Sequence, residues 1–237
     1  MTIIRTKRSV APGFWRIPRK GKRFVVTPSS GPHTWVESYP LAILLRDILR
    51  LARTYRETKV ALHDGKILVD GVIRRDPHFS VGLMDIIDIT ALGKCYRIIP
   101  SKGSLVPLEI PDSERDVKIC RIRGKRIVSG GAVQYALHDG RNLLARDLRD
   151  LKPGDSLLIQ VPSQKMLNHI RFQPGSLGLI SKGQMGGRVG KIATVRQATL
   201  SRPSMTELKF DSEMIEIPSD LVLPVGVDKP LVKVEVG

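Results

Sequence analysis

The sequence predicts an α+β protein, mostly β, in four consecutive units: a basic extension over 1–40, a helical pair with a hairpin over 41–93, a small central β domain over 94–173 and a further β unit over 174–237. Three observations predict it. Helical spacing of apolar residues is concentrated between Leu41 and Asp64. From Asp116 onward the apolar runs are short, and turn residues separate them at regular intervals. The first forty residues carry many cations, interrupted by proline and glycine.

A net charge of +16 over 237 residues exceeds what an enzyme of small metabolites needs and suits a polyanion, with nucleic acid as the first candidate. Cys95 and Cys120 are too few for a disulfide framework, and no Cys-x-x-Cys or His-x-x-x-His spacing offers a zinc site. No apolar run approaches the length of a membrane span, no hydrophobic signal core opens the chain, and a cytoplasmic protein is expected.

In the extension, Arg5, Lys7, Arg8, Arg16, Arg19, Lys20, Lys22 and Arg23 precede the first acidic residue, Glu37. So much charge with so little apolar area predicts an arm that is disordered alone and orders against RNA over residues 1 to about 36. Phe14, Trp15 and Phe24 interleave with the cations, and Trp15 is a candidate for base stacking.

The second unit begins with Leu41, Leu44, Leu45, Ile48, Leu49 and Ala52 at helical spacing, which places Arg46, Arg50 and Arg53 on another face as a row of guanidinium groups. A second helix runs from Tyr55 to Asp64. Thr54 and Glu57 have capping-box spacing, and Gly65 suits a left-handed helix end. Ile67 to Val69 and Val72 to Ile73 flank Asp70-Gly71, a dipeptide that favours a type I′ hairpin turn. Arg74 and Arg75 leave the hairpin, and Ile86 to Ile89 resumes a strand. Lys59 and Lys66 add to the candidate phosphate-binding cations of this unit.

Strands follow at Lys94 to Ile99, Leu105 to Ile110, Val117 to Ile122, Lys125 to Val128, Val133 to Leu137, Asn142 to Ala145, Leu157 to Val161 and Leu167 to Phe172. The last unit has apolar runs at Leu177 to Ser181, Lys191 to Val195, Glu207 to Phe210, Met214 to Ile217 and Leu221 to Leu223. Between its first two runs stand Gly183, Gly186, Gly187 and Gly190. A tight loop without side-chain bulk lets backbone amides and Lys182, Arg188 and Lys191 approach phosphates. Ala61 to Lys66 and Ala136 to Arg141 echo each other, but their flanks differ and the match reads as chance.

The helix, helix, hairpin, strand order resembles the RNA-binding module first seen in bacterial ribosomal protein four of the small subunit. The glycine loop between strands resembles the KOW motif of small SH3-like barrels. A wider resemblance covers nearly the whole chain: Ala11-Pro12 with Trp15, Ser30-Gly31-Pro32-His33, Tyr39-Pro40-Leu41, Val69-Asp70-Gly71, Gly82-Leu83-Met84-Asp85 and the glycines near Gly187. In that order they are similar to the archaeal and eukaryotic small-subunit ribosomal protein four of the e type. The resemblance implies a structural, non-catalytic protein whose partners are small-subunit ribosomal RNA and neighbouring ribosomal proteins, with no cofactor and no metal.

The chemistry of other classes is missing. Gly190-Lys191 imitates the end of a P-loop, yet Met185 replaces the first glycine and Ile192 the magnesium-binding Ser or Thr. A pseudouridine synthase, the enzyme alternative, would carry its aspartate after Arg-Leu, whereas here Arg146-Asp147-Leu148 has another order. His33, His63, His78, His138 and His169 have no nucleophile or base partner at catalytic spacing. A KOW-type transcription elongation factor, the remaining alternative, leaves the extension and the helical unit unexplained.

Overall fold

A computed structural model describes residues 6–145, 150–200, 202–210 and 213–234. The extension opens with β1 (Thr6–Lys7), which pairs antiparallel with β2 (Phe24–Val25). Contrary to the expected disordered arm, the described part of this segment is packed on the body. Trp15 is wholly buried, and its indole N–H donates to the Ser38 carbonyl at 2.9 Å. Ala11, Ile17 and Tyr39 are buried with it. The Tyr39 hydroxyl lies 2.9 Å from the Phe14 carbonyl oxygen and 3.0 Å from that of Leu105. A few large side chains in one contiguous core outweigh a composition that is polar on average.

β3 (Tyr39–Pro40) leads into α1 (Leu41–Ile43) and then one π turn, Leu44–Ile48, in which the Leu49 N–H donates to the Leu44 carbonyl at 2.8 Å. Arg50 then takes a left-handed φ of 55°. α2 (Tyr55–His63) starts as expected: Thr54 Oγ1 accepts from the Glu57 N–H at 3.2 Å, and Glu57 Oε2 accepts from the Arg53 N–H at 2.8 Å. Gly65 follows at φ 72°. β4 (Ile67–Val69) and β5 (Val72–Ile73) form the expected hairpin, with Asp70 at φ 50° and Gly71 at φ 74°.

β6 (Ser80–Val81) pairs with β3. β7 (Ile86–Ile89), β8 (Lys94–Ser101) and β9 (Ser104–Ile110) complete a sheet of order β5-β4-β7-β8-β9. This sheet runs continuously across residues 93 and 94. The next sheet has the order β12-β11-β10-β13-β14 and is built from β10 (Val117–Ile127), β11 (Val133–Leu137), β12 (Asn142–Ala145), β13 (Ser156–Gln160) and β14 (Lys165–Ile170). The two strands expected over 117–128 are one, with an irregularity between Ile122 and Gly124. β15 (Leu177–Ile180), β16 (Val189–Arg196), β17 (Met205–Lys209), β18 (Met214–Pro218) and β19 (Val222–Gly226) make a third antiparallel sheet of order β18-β17-β16-β15-β19. Its inner residues Ile180, Ile192, Leu208, Ile217 and Val222 form a core of their own.

Two buried cations tie these sheets together. Lys118 on β10 has no solvent exposure, and its three N–H donors meet three carboxylates: Asp85 Oδ1 at 2.6 Å, Asp70 Oδ2 at 2.8 Å and Asp139 Oδ2 at 2.9 Å. Arg141 donates to Asp70 Oδ2 at 2.8 Å, and His33 Nε2 lies 2.9 Å from Asp85 Oδ2. Burial alone would raise the Asp85 pKa, but His33 and Lys118 outweigh it and hold this carboxyl well below the usual range. Burial likewise opposes the charge on Lys118, and the three aspartates reverse this and raise its pKa well above the usual value. Arg97 on β8 is the second buried cation. It pairs with Glu114 and donates to the carbonyls of Val117 at 2.9 Å and Lys233 at 3.1 Å.

Candidate nucleic-acid interface

On the extension, Arg5 lies outside the described residues. Lys7, Lys20, Lys22 and Arg23 are exposed and carry no ion-pair partner among the described residues. The Arg23 guanidinium stands 5.4 Å from the centre of the Phe24 ring, itself exposed at the hairpin. Arg19 has a different task, since its Nη1 donates to the carbonyls of Ala11 at 2.6 Å and Arg8 at 3.0 Å and so closes the loop. Arg8 is half-buried beside it. Arg16, at a left-handed φ of 49°, reaches the Lys102 carbonyl at 3.4 Å. Trp15 is corrected: a fully buried indole has no face to offer a base.

The row of Arg46, Arg50 and Arg53 is also corrected. Spacings of four and seven bring side chains together only on an uninterrupted α-helix. Here the helix ends in a π turn, and Arg50 leaves it in a left-handed conformation. Arg46 is half-buried and bidentate on Asp47, with Nε to Oδ1 at 3.1 Å and Nη2 to Oδ2 at 2.7 Å. Arg50 and Arg53 remain exposed without an ion pair among the described residues, and α2 adds Arg56 and Lys59 in the same state. Arg56 escaped the sequence reading, although it lies three residues before Lys59, a spacing that places both on one helical face. Lys66 pairs with Asp64 at 2.8 Å, Arg74 stacks over Phe79 at 4.4 Å, and Arg75 donates to the His63 carbonyl at 3.4 Å.

The glycine loop does less for phosphates than its composition suggests. Lys182 meets Glu37 at 2.5 Å, and Arg188 meets Glu213 at 2.6 Å while lying over Phe210 at 4.1 Å; Lys191 alone of the three is exposed without an ion pair among the described residues. Gly183 and Gly187 have positive φ, 83° and 95°, and Gly186 and Gly190 do not. A Cβ on Gly187 would overlap the Pro100 carbonyl oxygen, and one on Gly190 would stand 2.9 Å from the Phe210 ring. The loop is glycine-rich because it is pressed on the β8–β9 turn, whose Lys102 N–H donates to the Gly186 carbonyl at 2.9 Å. Gly187→Val is therefore expected to cost roughly 1 to 3 kcal/mol from backbone strain, with the overlap adding to it. Gly183→Ala, left-handed but in open space, is expected to cost about 1 kcal/mol. Thermal melts of the two variants check the order.

Cys120, His138 and Asp139 bring ligand-type atoms within 4.8 Å of one another. All are already engaged by protein. His138 Nδ1 accepts from the Arg121 N–H at 3.1 Å, which leaves Nε2 to donate to the Leu83 carbonyl at 3.1 Å. Burial, the largest influence, pushes the His138 pKa down to about 4.

Similar proteins are known. The family model described as Ribosomal family S4e matches residues 92–166, and that described as the RS4NT (NUC023) domain matches residues 5–35. The small ribosomal subunit protein eS4 of Korarchaeum cryptofilum is 41% identical, covering 96% of this chain and 95% of the relative. That of Archaeoglobus fulgidus is 39% identical over 98% of each. The crystal structure of the 30S ribosomal protein S4e from Thermoplasma acidophilum superposes with a TM-score of 0.71 at 30% identity, covering 81% of this chain and 96% of that one.

Proposed function

The chain belongs to the ribosomal S4e family, and on that premise we propose that its exposed cations grip small-subunit ribosomal RNA at two places, the β1–β2 hairpin and the helical pair. It is a structural, non-enzymatic protein of the small ribosomal subunit, which sets aside the pseudouridine synthase and elongation-factor readings. It works as part of the ribosome, in the cytoplasm. The observation that carries the site assignment is the division between engaged and unengaged cations. Lys7, Lys20, Lys22 and Arg23 on the hairpin, and Arg50, Arg53, Arg56 and Lys59 on the helical pair, are exposed and their side chains make no ion pair among the described residues. The C-terminal sheet is read as the KOW-type barrel, with Lys191 its one unengaged cation of the three expected on RNA. Recognition would be largely of backbone shape, since A-form helices hide base edges in a deep narrow groove.

Changing Arg50, Arg53, Arg56 and Lys59 together to Gln is expected to lower the slope of log affinity against log salt by roughly 0.7 to 0.9 for each phosphate no longer neutralised. Arg188→Gln removes a cation already paired with Glu213 and is expected to leave the slope unchanged. Titration of small-subunit ribosomal RNA at several salt concentrations checks this. Equal slopes for the fourfold variant and the wild type would remove the helical pair from the interface.

A further inference from the structure

A cavity of about 250 Å³ opens where the extension, the β8–β9 turn, β10 and the glycine loop meet, apart from the cations of the hairpin and the helical pair. Val36, Leu83 and Leu105 supply apolar wall, and Arg121, Arg123 and Lys182 stand at its edge. His138, with both ring nitrogens engaged elsewhere, presents ring surface rather than hydrogen-bonding atoms. Two carboxylates share this edge with the three cations. Glu37 holds Lys182 at 2.5 Å and Arg123 at 3.6 Å. Asp220 stands 3.8 Å from Arg121, and its side chain is 92% exposed, so water screens that pair. The edge therefore keeps an excess of positive charge.

We propose that this cavity receives one unstacked base of an RNA strand, with the adjoining phosphate held by the excess positive charge that Arg123 and Lys182 keep beside the single carboxylate they share, Glu37. The proposal rests on the ribosomal-RNA reading and adds a base-sized site to it. The size fits, since the volume lies below the roughly 300 Å³ at which pockets for drug-sized ligands begin. The chemistry fits as well. Splayed bases bury π-faces against apolar and ring surfaces while their phosphates stay outside on cations, and here apolar wall and cationic edge occur together. An apolar protein side chain would fill the interior and leave the excess positive charge of the edge unanswered. Of the apolar wall residues Val36 is the most exposed, at 66%, beside the exposed Trp35.

The test follows the backbone amide resonances of Gly103, Gly183 and Gly186, three glycines at the cavity, in the full chain. Nucleoside monophosphates, inorganic phosphate and N-acetyltryptophanamide are added separately. The nucleotides are expected to shift these resonances, with phosphate alone binding at least tenfold more weakly. Val36→Trp, which blocks the mouth from an exposed position, is expected to weaken nucleotide binding at least tenfold at an unchanged melting temperature. The double change Arg123→Gln with Lys182→Gln is expected to weaken it as well. Equal affinity for phosphate alone would reduce the site to a cationic edge. Comparable shifts with N-acetyltryptophanamide would make it a socket for a protein side chain, and an unaffected Val36→Trp variant would remove the cavity from binding altogether. Each of these overturns the proposal. Titration of the wild type with small-subunit ribosomal RNA, run in parallel, separates the two readings: absent binding there would sink the RNA reading itself, whereas intact binding with silent glycine resonances would sink this site alone.

Discussion

Replacing Lys118 with Met is expected to lower the free energy of unfolding by roughly 3 to 5 kcal/mol, the usual cost of removing one partner from a buried ionic cluster. The side chains are similar in length, so the loss is of charge rather than volume. Three carboxylates within 2.9 Å of the Lys118 ammonium would stay behind. Asp70 would keep Arg141 and Asp85 would keep His33, but among the described residues Asp139 would retain only Arg141 at 3.5 Å as a cationic partner. Combining Lys118→Met with Asp85→Asn and Asp139→Asn removes the stranded charges and is expected to restore part of the stability. Urea unfolding measures both steps. A loss under about 1 kcal/mol for Lys118→Met would mean that the cluster rearranges freely and is not a structural joint.

The second large effect is a loss of stability in mild acid through His138. This imidazole is neutral in the fold, with its pKa pushed down to about 4, first by burial and then by Lys118 and His33, against the opposing pull of Asp139. In the unfolded chain it protonates near the ordinary value of about 6.5. The unfolded state therefore binds more protons between these values. The contribution of His138 is complete above about pH 6.5 and is lost as pH falls toward 4, by about 3 kcal/mol in all. The Asp85 and Asp139 carboxyls act in a lower window. Their pKa values are depressed by neighbouring cations, so their contribution is complete above about pH 4 and is lost only below it. His138→Gln is expected to flatten the curve between pH 6.5 and 4 and leave the lower limb in place. Wild type and variant with parallel curves across that interval would show that another group carries the acid sensitivity.

Much of the local structure was legible because the signals act over a few residues. Asp70-Gly71 demanded two positive φ values and has them. Thr54 and Glu57 placed the start of α2, and Gly65 its end. Apolar runs between turn residues located the strands of all three sheets to within a few residues, and the ordered fragments from Ala11-Pro12 to the glycines near Gly187 carried the family resemblance. The guanidinium row failed for a physical reason: helical spacing assumes 3.6 residues per turn, and the π turn after α1 breaks that assumption. Trp15 and the glycine loop suit RNA by residue type, whereas an indole of 0% exposure and a Cβ-free approach to Pro100 serve packing within the chain.

The repeated hexamer marks where local information stops. Asp64 and Asp139 have the same neighbours, His before and Gly after, yet Asp64 is exposed on Lys66 and Asp139 is buried on Lys118. By itself the sequence determined which segments turn, which extend, where α2 begins and ends, and that the partner is a polyanion. Those follow from φ/ψ preference, periodicity and net charge, which each short stretch carries with it. Tertiary structure alone decided which charges face water and which are buried. Lys118 is 48 residues from Asp70 and 33 from Asp85, and the energy of a buried ion depends on the groups brought around it, not on its neighbours along the chain.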